Sequence, residues 1–291
     1  MPNRWGIPDL GFGVGLRSNH CPSILSRNPS ADWFEVPSES YLDAGDWHLR
    51  ALDQVAERYP VVIHGVSMSV GSADPINVGY LAKLKRLARR VKSRWISDHL
   101  CWAGVPGIHS HDVLPMPYTD ESLAHVVSRV RIIQDYLECP VFLENPSSHF
   151  AFTDSTWTEC DFMAELSILS GCGLMLDLHS VFVSAFHHGF DALTYIDRIP
   201  ADRVVQIQIA GQAPWGTHIL DTTSNHVRNG EWELYRRVCE RTDEISTLLE
   251  FERDEAIPAF DVVRAEALNA RHQKTVTSTE AYRHGCSGHA A

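Results

Sequence analysis

Short apolar runs recur along the chain, and most of them close on a polar residue. They read GFGVGLR (11–17), WFEVPS (33–38), PVVIHG (60–65), WISDHL (95–100), PVFLEN (140–145), GLMLDL (173–178), VVQIQIAG (204–211) and TLLEFE (247–252). Each is brief and rich in Val, Ile, Leu or Phe, which predicts strands buried on both faces. Between most of them the apolar spacing changes to i, i+3, i+4. That predicts helices over 47–59, 80–91, 121–137, 159–169, 191–198, 231–241 and 259–271. Thr119 before Asp120-Glu121, and Thr156 and Thr158 before Glu159, predict N-terminal caps.

Strands alternating with helices predict an α/β fold with a parallel sheet closed as a (β/α)8 TIM barrel. A doubly wound open sheet is the alternative. GFGVG (11–15) precedes no helical pattern, which argues against a dinucleotide fingerprint. One domain over 1–272 is expected, followed by a polar, small-residue tail over 273–291 that is expected to be disordered. His284, Cys286 and His289 in that tail could bind a metal, but a flexible tail is the simpler reading.

Composition narrows the function classes. The 291 residues carry a formal net charge of −12, which argues against nucleic acid or an anionic membrane as partner. The basic run from Lys83 to Lys92 has the spacing of a solvated helix face. Seven scattered cysteines without a CxxC pair suit a reducing compartment, and a cytoplasmic location is expected. The start, MPNRWGIPDL, lacks the apolar core of a signal peptide.

The candidate chemistry lies where the strands stop. The third run ends in His64-Gly65, the fourth in Asp98-His99 and the fifth in Glu144-Asn145. The sixth ends in Asp177 with His179 after it. The seventh carries Gln208 with Gln212 following, and the eighth carries Glu250 and Glu252. In a TIM barrel these ends converge on one mouth. Carboxylates crowded there repel one another unless a cation joins them. Mixed Asp, Glu and His donors suit iron, manganese or zinc. Each residue also has a plainer reading. A lone His64 is more often a hydrogen-bonded core residue, Asp98-His99 could be a local hydrogen bond, and Glu250 could pair with Arg253. Coincidence across five strands favours a metal centre, with Glu144 as a ligand.

The loops add candidates. Arg17 could hold a substrate carboxylate or a structural salt bridge. The small-residue loop SMSVGSAD (67–74) could admit a substrate to its backbone or close over the mouth. HSHDVLPMPY (109–118) reads as a rigid Pro-rich loop whose His109 and His111 are surface residues. His187 and His188 follow strand six, and His218, Asp221 and His226 follow strand seven.

Taken together, GLRSNH, VVIHGVSMSVGSAD, ISDHLCW, LPMPYT, FLENPSS, LMLDLHSVFVSAFHHGFD and LLEFERD resemble the multinuclear non-haem iron-dependent oxidative enzymes, the methanobactin-oxidase-like proteins. The likeness runs from about residue 11 to about residue 271. It implies a TIM barrel of the xylose-isomerase-like type, two or three irons at the mouth, and dioxygen as co-substrate. It also implies a ribosomally made precursor peptide as substrate, modified at Cys or at Asp or Asn, and a small partner protein that presents the leader. Carried over, the expected metal ligands are His64, His99, Glu144, Asp177, His188, Asp221 and Glu250. Asp98 and Asn145 would orient groups beside them, and Arg17 completes the expected catalytic set.

The chain departs from the family pattern in one sector. Gln208 and Gln212 stand where imidazoles are usual, Thr223 stands two residues after Asp221 where a His is usual, and Ser180, with His179 next to it, stands where an Asn is usual. Amide and hydroxyl oxygens are weaker donors to iron, so one or two metals are expected. Two alternatives stay open: a redox-neutral isomerase or hydrolase using Mn or Zn, and a degenerate member that binds peptide or partner without chemistry.

Overall fold

The computed structural model describes residues 3–17, 20–27, 31–105, 108–210, 229–242 and 245–250. In chain order the strands are β1 (Phe12–Gly15), β2 (Trp33–Pro37), β3 (Val61–Gly65), β4 (Ile96–His99), β5 (Trp102–Val105), β6 (Ile108–Leu114), β7 (Val141–Glu144), β8 (Gly173–Asp177), β9 (Val204–Ala210) and β10 (Ser246–Glu250). The helices are α1 (Cys21–Arg27), α2 (Glu39–Leu42), α3 (Asp46–Ala56), α4 (Val78–Val91), α5 (Asp120–Leu137), α6 (Glu159–Ser170), α7 (Leu178–His188), α8 (Ala192–Arg198) and α9 (Asn229–Arg241).

Eight parallel strands close in the order β1-β10-β9-β8-β7-β4-β3-β2, and β5 and β6 form a separate antiparallel pair. This is the (β/α)8 TIM barrel, and ring closure rules out the open doubly wound sheet. The β5–β6 pair corrects the reading of 109–118 as a loop, because its first part is strand. The helix expected over 259–271 and the tail over 273–291 lie outside the described residues. Among the described residues no helix is long and apolar enough to cross a membrane.

Strand alternation builds two cores. One side of each strand faces the helices. Phe12, Val14, Phe34, Ile63, Ile96, Leu143 and Ile207 are buried there. The other side faces the lumen, where Trp33, Val62, Trp95, Phe142, Met175, Val205 and Leu248 make an aromatic-rich floor. Trp5, Ile7 and Leu10 pack against that floor, with Trp5 edge-on to Phe142 at 5.7 Å. Two glycines make room for its largest rings. A Cβ at Gly13 would stand 2.3 Å from Trp33, and one at Gly173 would stand 2.3 Å from Phe142. The polar layer at the mouth therefore rests on a rigid base.

The helix caps follow from the sequence. Thr119 accepts from Ser122 N in a capping box on α5, and Thr158 accepts from Asp161 N on α6. The basic residues of α4 face outward as expected, with Lys83 paired to Asp43 and Arg90 to Asp53.

Candidate metal centre

Three neighbouring strands each end with an inward-facing donor. β4 pairs with β3 on one side and with β7 on the other, so that His99 lies level with Glu144 and one strand away from β3. The side chains of His64, His99 and Glu144 meet. His64 Nε2 stands 3.2 Å from His99 Nε2 and 3.4 Å from Glu144 Oε2, and His99 Nδ1 stands 3.2 Å from the same oxygen. These three form a group with metal-ligand proximity among the described residues. The two short contacts of His99 use different ring nitrogens; with one ligand atom taken from each residue, all three lie within 4.8 Å of one another, close enough to converge on one cation with bonds of about 2.0–2.2 Å after a small side-chain adjustment.

The protonation state of His64 suits a ligand. Burial lowers His64 to about 4, which leaves a neutral imidazole with a lone pair to offer. Its other nitrogen is 3.0 Å from Ser97 Oγ, which fixes the ring. Glu144 is 1% exposed, and a carboxylate buried so completely beside the neutral His64 ring is stabilised when a positive charge joins it.

The other expected residues have different places. Asp98 adjoins His99 but points to the opposite side of β4. It accepts from Met68 N at 3.0 Å and from His99 N at 2.8 Å, and burial raises its pKa well above the usual carboxylate value. It thus anchors the loop after β3. Asn145 donates to Asp177 O at 3.0 Å and accepts from Asp177 N at 2.9 Å, joining β7 to β8. Asp177 caps α7: its Oδ1 accepts from His179 N and Ser180 N, and its Oδ2 from Ser180 Oγ at 2.6 Å. Glu250 accepts a hydrogen bond from Gln208 Nε2. Gln208 Oε1 is a buried acceptor without a hydrogen-bond partner among the described residues.

His188 is exposed and 3.0 Å from Ser148 O. It belongs to the last turn of α7, so His187 and His188 are helical rather than in a loop. His179 is buried and 2.8 Å from Glu231, joining α7 to α9. Arg17 is half-buried just past β1. Asp221, Gln212, Thr223, His218 and His226 lie outside the described residues.

The loop SMSVGSAD is pinned at several points, so it forms a wall of the mouth rather than a lid. Arg129 donates to Asp74 O at 2.6 Å and Ser69 O at 3.3 Å, His125 Nε2 is 2.8 Å from Ser72 O, and Gly71 N donates to Cys101 O at 2.8 Å. Ser69 takes a φ of 49°, a left-handed conformation that these contacts hold in place.

Sequence reading missed Glu35. It sits inside the lumen below the cluster, where Oε2 accepts from Gln206 Nε2 at 2.7 Å and Gln206 Oε1 accepts from Trp95 Nε1 at 2.9 Å. The available signal was strand parity: Glu35 is two residues from Trp33, which faces the lumen. Burial raises its carboxyl to about 7. A raised carboxyl pKa favours folding fully below the unfolded value, and that advantage is lost as pH rises through about 7. Glu35→Gln is therefore expected to be more stable than the parent at pH 8, by roughly 2–3 kcal/mol, with the gap closing toward pH 5. Urea unfolding at both pH values measures this; a gap that widens on acidification would contradict it.

Barrel and cluster together define a TIM-barrel protein with a candidate metal centre of two histidines and one carboxylate at its C-terminal mouth. A family profile described as RiPP precursor modification enzyme MbnB/TglH/ChrH matches residues 11–275, and the chain belongs to that family. A UPF0276 protein of Caulobacter vibrioides (strain NA1000 / CB15N) is 45% identical over 265 residues, covering 91% of this chain and 94% of that one. A UPF0276 protein of Anaeromyxobacter sp. (strain Fw109-5) is 44% identical over 261 residues, covering 90% and 92%. Among solved structures, D-psicose 3-epimerase from Clostridium cellulolyticum H10 superposes with a TM-score of 0.61 at 12% identity, over 92% of this chain and 99% of that one. An L-ribulose 3-epimerase gives 0.61 at 14%, over 96% and 98%. At such identities these structures share the fold alone.

Proposed function

We propose that the protein oxidises a residue of a ribosomally synthesised precursor peptide, Cys foremost and Asp or Asn next, with iron at the barrel mouth and dioxygen as co-substrate. The observation that carries this reading is the convergence of His64, His99 and Glu144 in a chain whose family modifies such precursors. Iron bound there would supply the one-electron and oxygen chemistry that no side chain provides.

The chain's own residues do the remaining work. Ser97 fixes the His64 ring, and Asp98 holds the loop wall through its bonds to Met68 N and His99 N. Arg17, at the rim, is assigned a substrate carboxylate. Asp177, Glu250 and Asp221 are assigned to a second ion, and His188 would join them only by leaving Ser148. The bond from Gln208 to Glu250 and the capping role of Asp177 favour one or two irons over three. The same two features favour a second reading, peptide binding without turnover. A small leader-binding protein and a cytoplasmic setting belong to the first reading.

Co-expression with a short Cys- or Asp-rich peptide encoded beside this chain, followed by mass spectrometry, tests the reading. A mass change that requires iron and air is expected, together with one or two irons per chain after anaerobic purification. An unaltered peptide that still binds would establish the second reading instead, and three tightly held irons would refute the metal count.

A further inference from the structure

Glu35 is a buried carboxyl that the metal cluster does not use. Its partner Gln206 is reached across the lumen, and the bonded chain Glu35–Gln206–Trp95 lies on the aromatic floor. Only one of its oxygens is engaged: Glu35 Oε1 has no hydrogen-bond partner among the described residues. Glu35 pairs with Val62, two residues before His64, so it stands one side-chain layer below the cluster, about 7 Å down the strand.

The wall beside it is bare. Gly15 pairs with Glu35 in register. Two residues earlier, Gly13 presents its Cβ position to the lumen, where Trp33 fills it. Gly15 has the same parity, yet a Cβ built on it meets none of the described residues within 4 Å, and the residue is exposed. Among the described residues, open space therefore lies over Gly15, beside and level with Glu35. Burial of this carboxyl costs stability, and a costly group facing an open space beside a cluster of donors is a functional candidate.

We propose that Gly15 and Glu35 form a subsite at the base of the mouth. An N–H donor of the substrate, an amine or a main-chain amide, enters over Gly15 and bonds Glu35 Oε1, while the reacting group lies at His64, His99 and Glu144. The proposal rests on the reading that the mouth takes a substrate, but not on oxidation.

Ligand-observed NMR titration of the full chain loaded with Zn(II) tests it, using methylammonium, N-methylacetamide and acetate as probes. Saturable binding of an N–H donor and exclusion of acetate are expected. Binding of methylammonium alone identifies an amine subsite, and of N-methylacetamide alone an amide subsite. Gly15→Val, which fills open space, should abolish the saturable component. Glu35→Gln keeps its oxygen on Gln206 and turns an NH2 into that space, so donors should weaken about tenfold and acetate should no longer be excluded. Zinc stoichiometry should match the parent in both variants, which separates loss of the subsite from loss of the cluster or the fold. Absence of saturable binding to the parent overturns the proposal, and so does parent-like binding in Gly15→Val. Either result would leave the peptide-oxidation experiment to stand or fall by its own mass spectra.

Discussion

Glu144→Gln is expected to weaken metal binding at the barrel mouth by more than about a hundredfold while leaving the barrel folded. Outer-shell partners of metal ligands are commonly worth 10- to 100-fold in affinity, and a charged ligand contributes more. The substitution removes the one negative charge of the cluster and preserves its volume. Without metal, the change should be neutral or stabilising. A carboxylate 1% exposed beside the neutral His64 ring is an expensive arrangement, and a neutral amide is less so. Chelator competition with Zn(II) or Fe(II) measures the affinity, and the metal-induced rise in melting temperature should vanish in parallel. Retention of the parent's affinity would remove Glu144 from the ligand set and, with it, the basis for iron chemistry at this mouth.

Asn145→Leu is expected to destabilise the barrel itself, by about 3 kcal/mol or more. Asn145 carries two buried hydrogen bonds to the backbone of Asp177, one through each end of its amide. Leucine has a similar bulk but leaves the Asp177 N–H and C=O without those partners, at roughly 1–3 kcal/mol each. For a domain of this size the melting temperature should fall by about 5–10 °C. The loss should spread to the site, because Asp177 begins α7 and its cap orients His179 and Ser180. Asn145→Asp offers a sharper check. Its one oxygen still accepts from Asp177 N, but the other faces a carbonyl and can donate only when protonated, so stability should recover as pH falls. Thermal melts of both variants across pH decide this. Parent-like stability of Asn145→Leu would mean that β7 and β8 are held together without the amide bridge.

The two substitutions concern adjacent residues of FLEN, and their different expected effects show what a sequence can and cannot convey. Eight apolar runs separated by helical spacing predict the barrel, and its closed parallel sheet follows those runs closely. Residues at the strand ends were legible as a group for the same reason: a parallel barrel sends every strand's last residues to one mouth. His64, His99 and Glu144 needed only that rule. The caps at Thr119 and Thr158 are local signals and were read from neighbouring residues.

Other assignments needed coordinates. In a strand buried on both faces the apolar run carries no alternation, so it does not reveal which of two adjacent polar residues enters the lumen. His99 and Glu144 enter it; Asp98 and Asn145 bond the backbone of the mouth wall instead. Glu35 was hidden in the same way within WFEVP, since its partner Gln206 lies 171 residues away. Asp177 became a helix cap because α7 starts at once after β8, in a stretch whose apolar residues read equally as strand or helix.

The sequence by itself determined the order of strands and helices, the closure of the sheet and the end of the barrel at which the acids and imidazoles collect, because periodicity and chain direction are encoded locally. Only the tertiary structure decided which of those side chains face one another and which are occupied in holding loops and helix ends. Those outcomes depend on strand parity and on pairs brought together across the barrel, and neither is written in the order of residues along the chain.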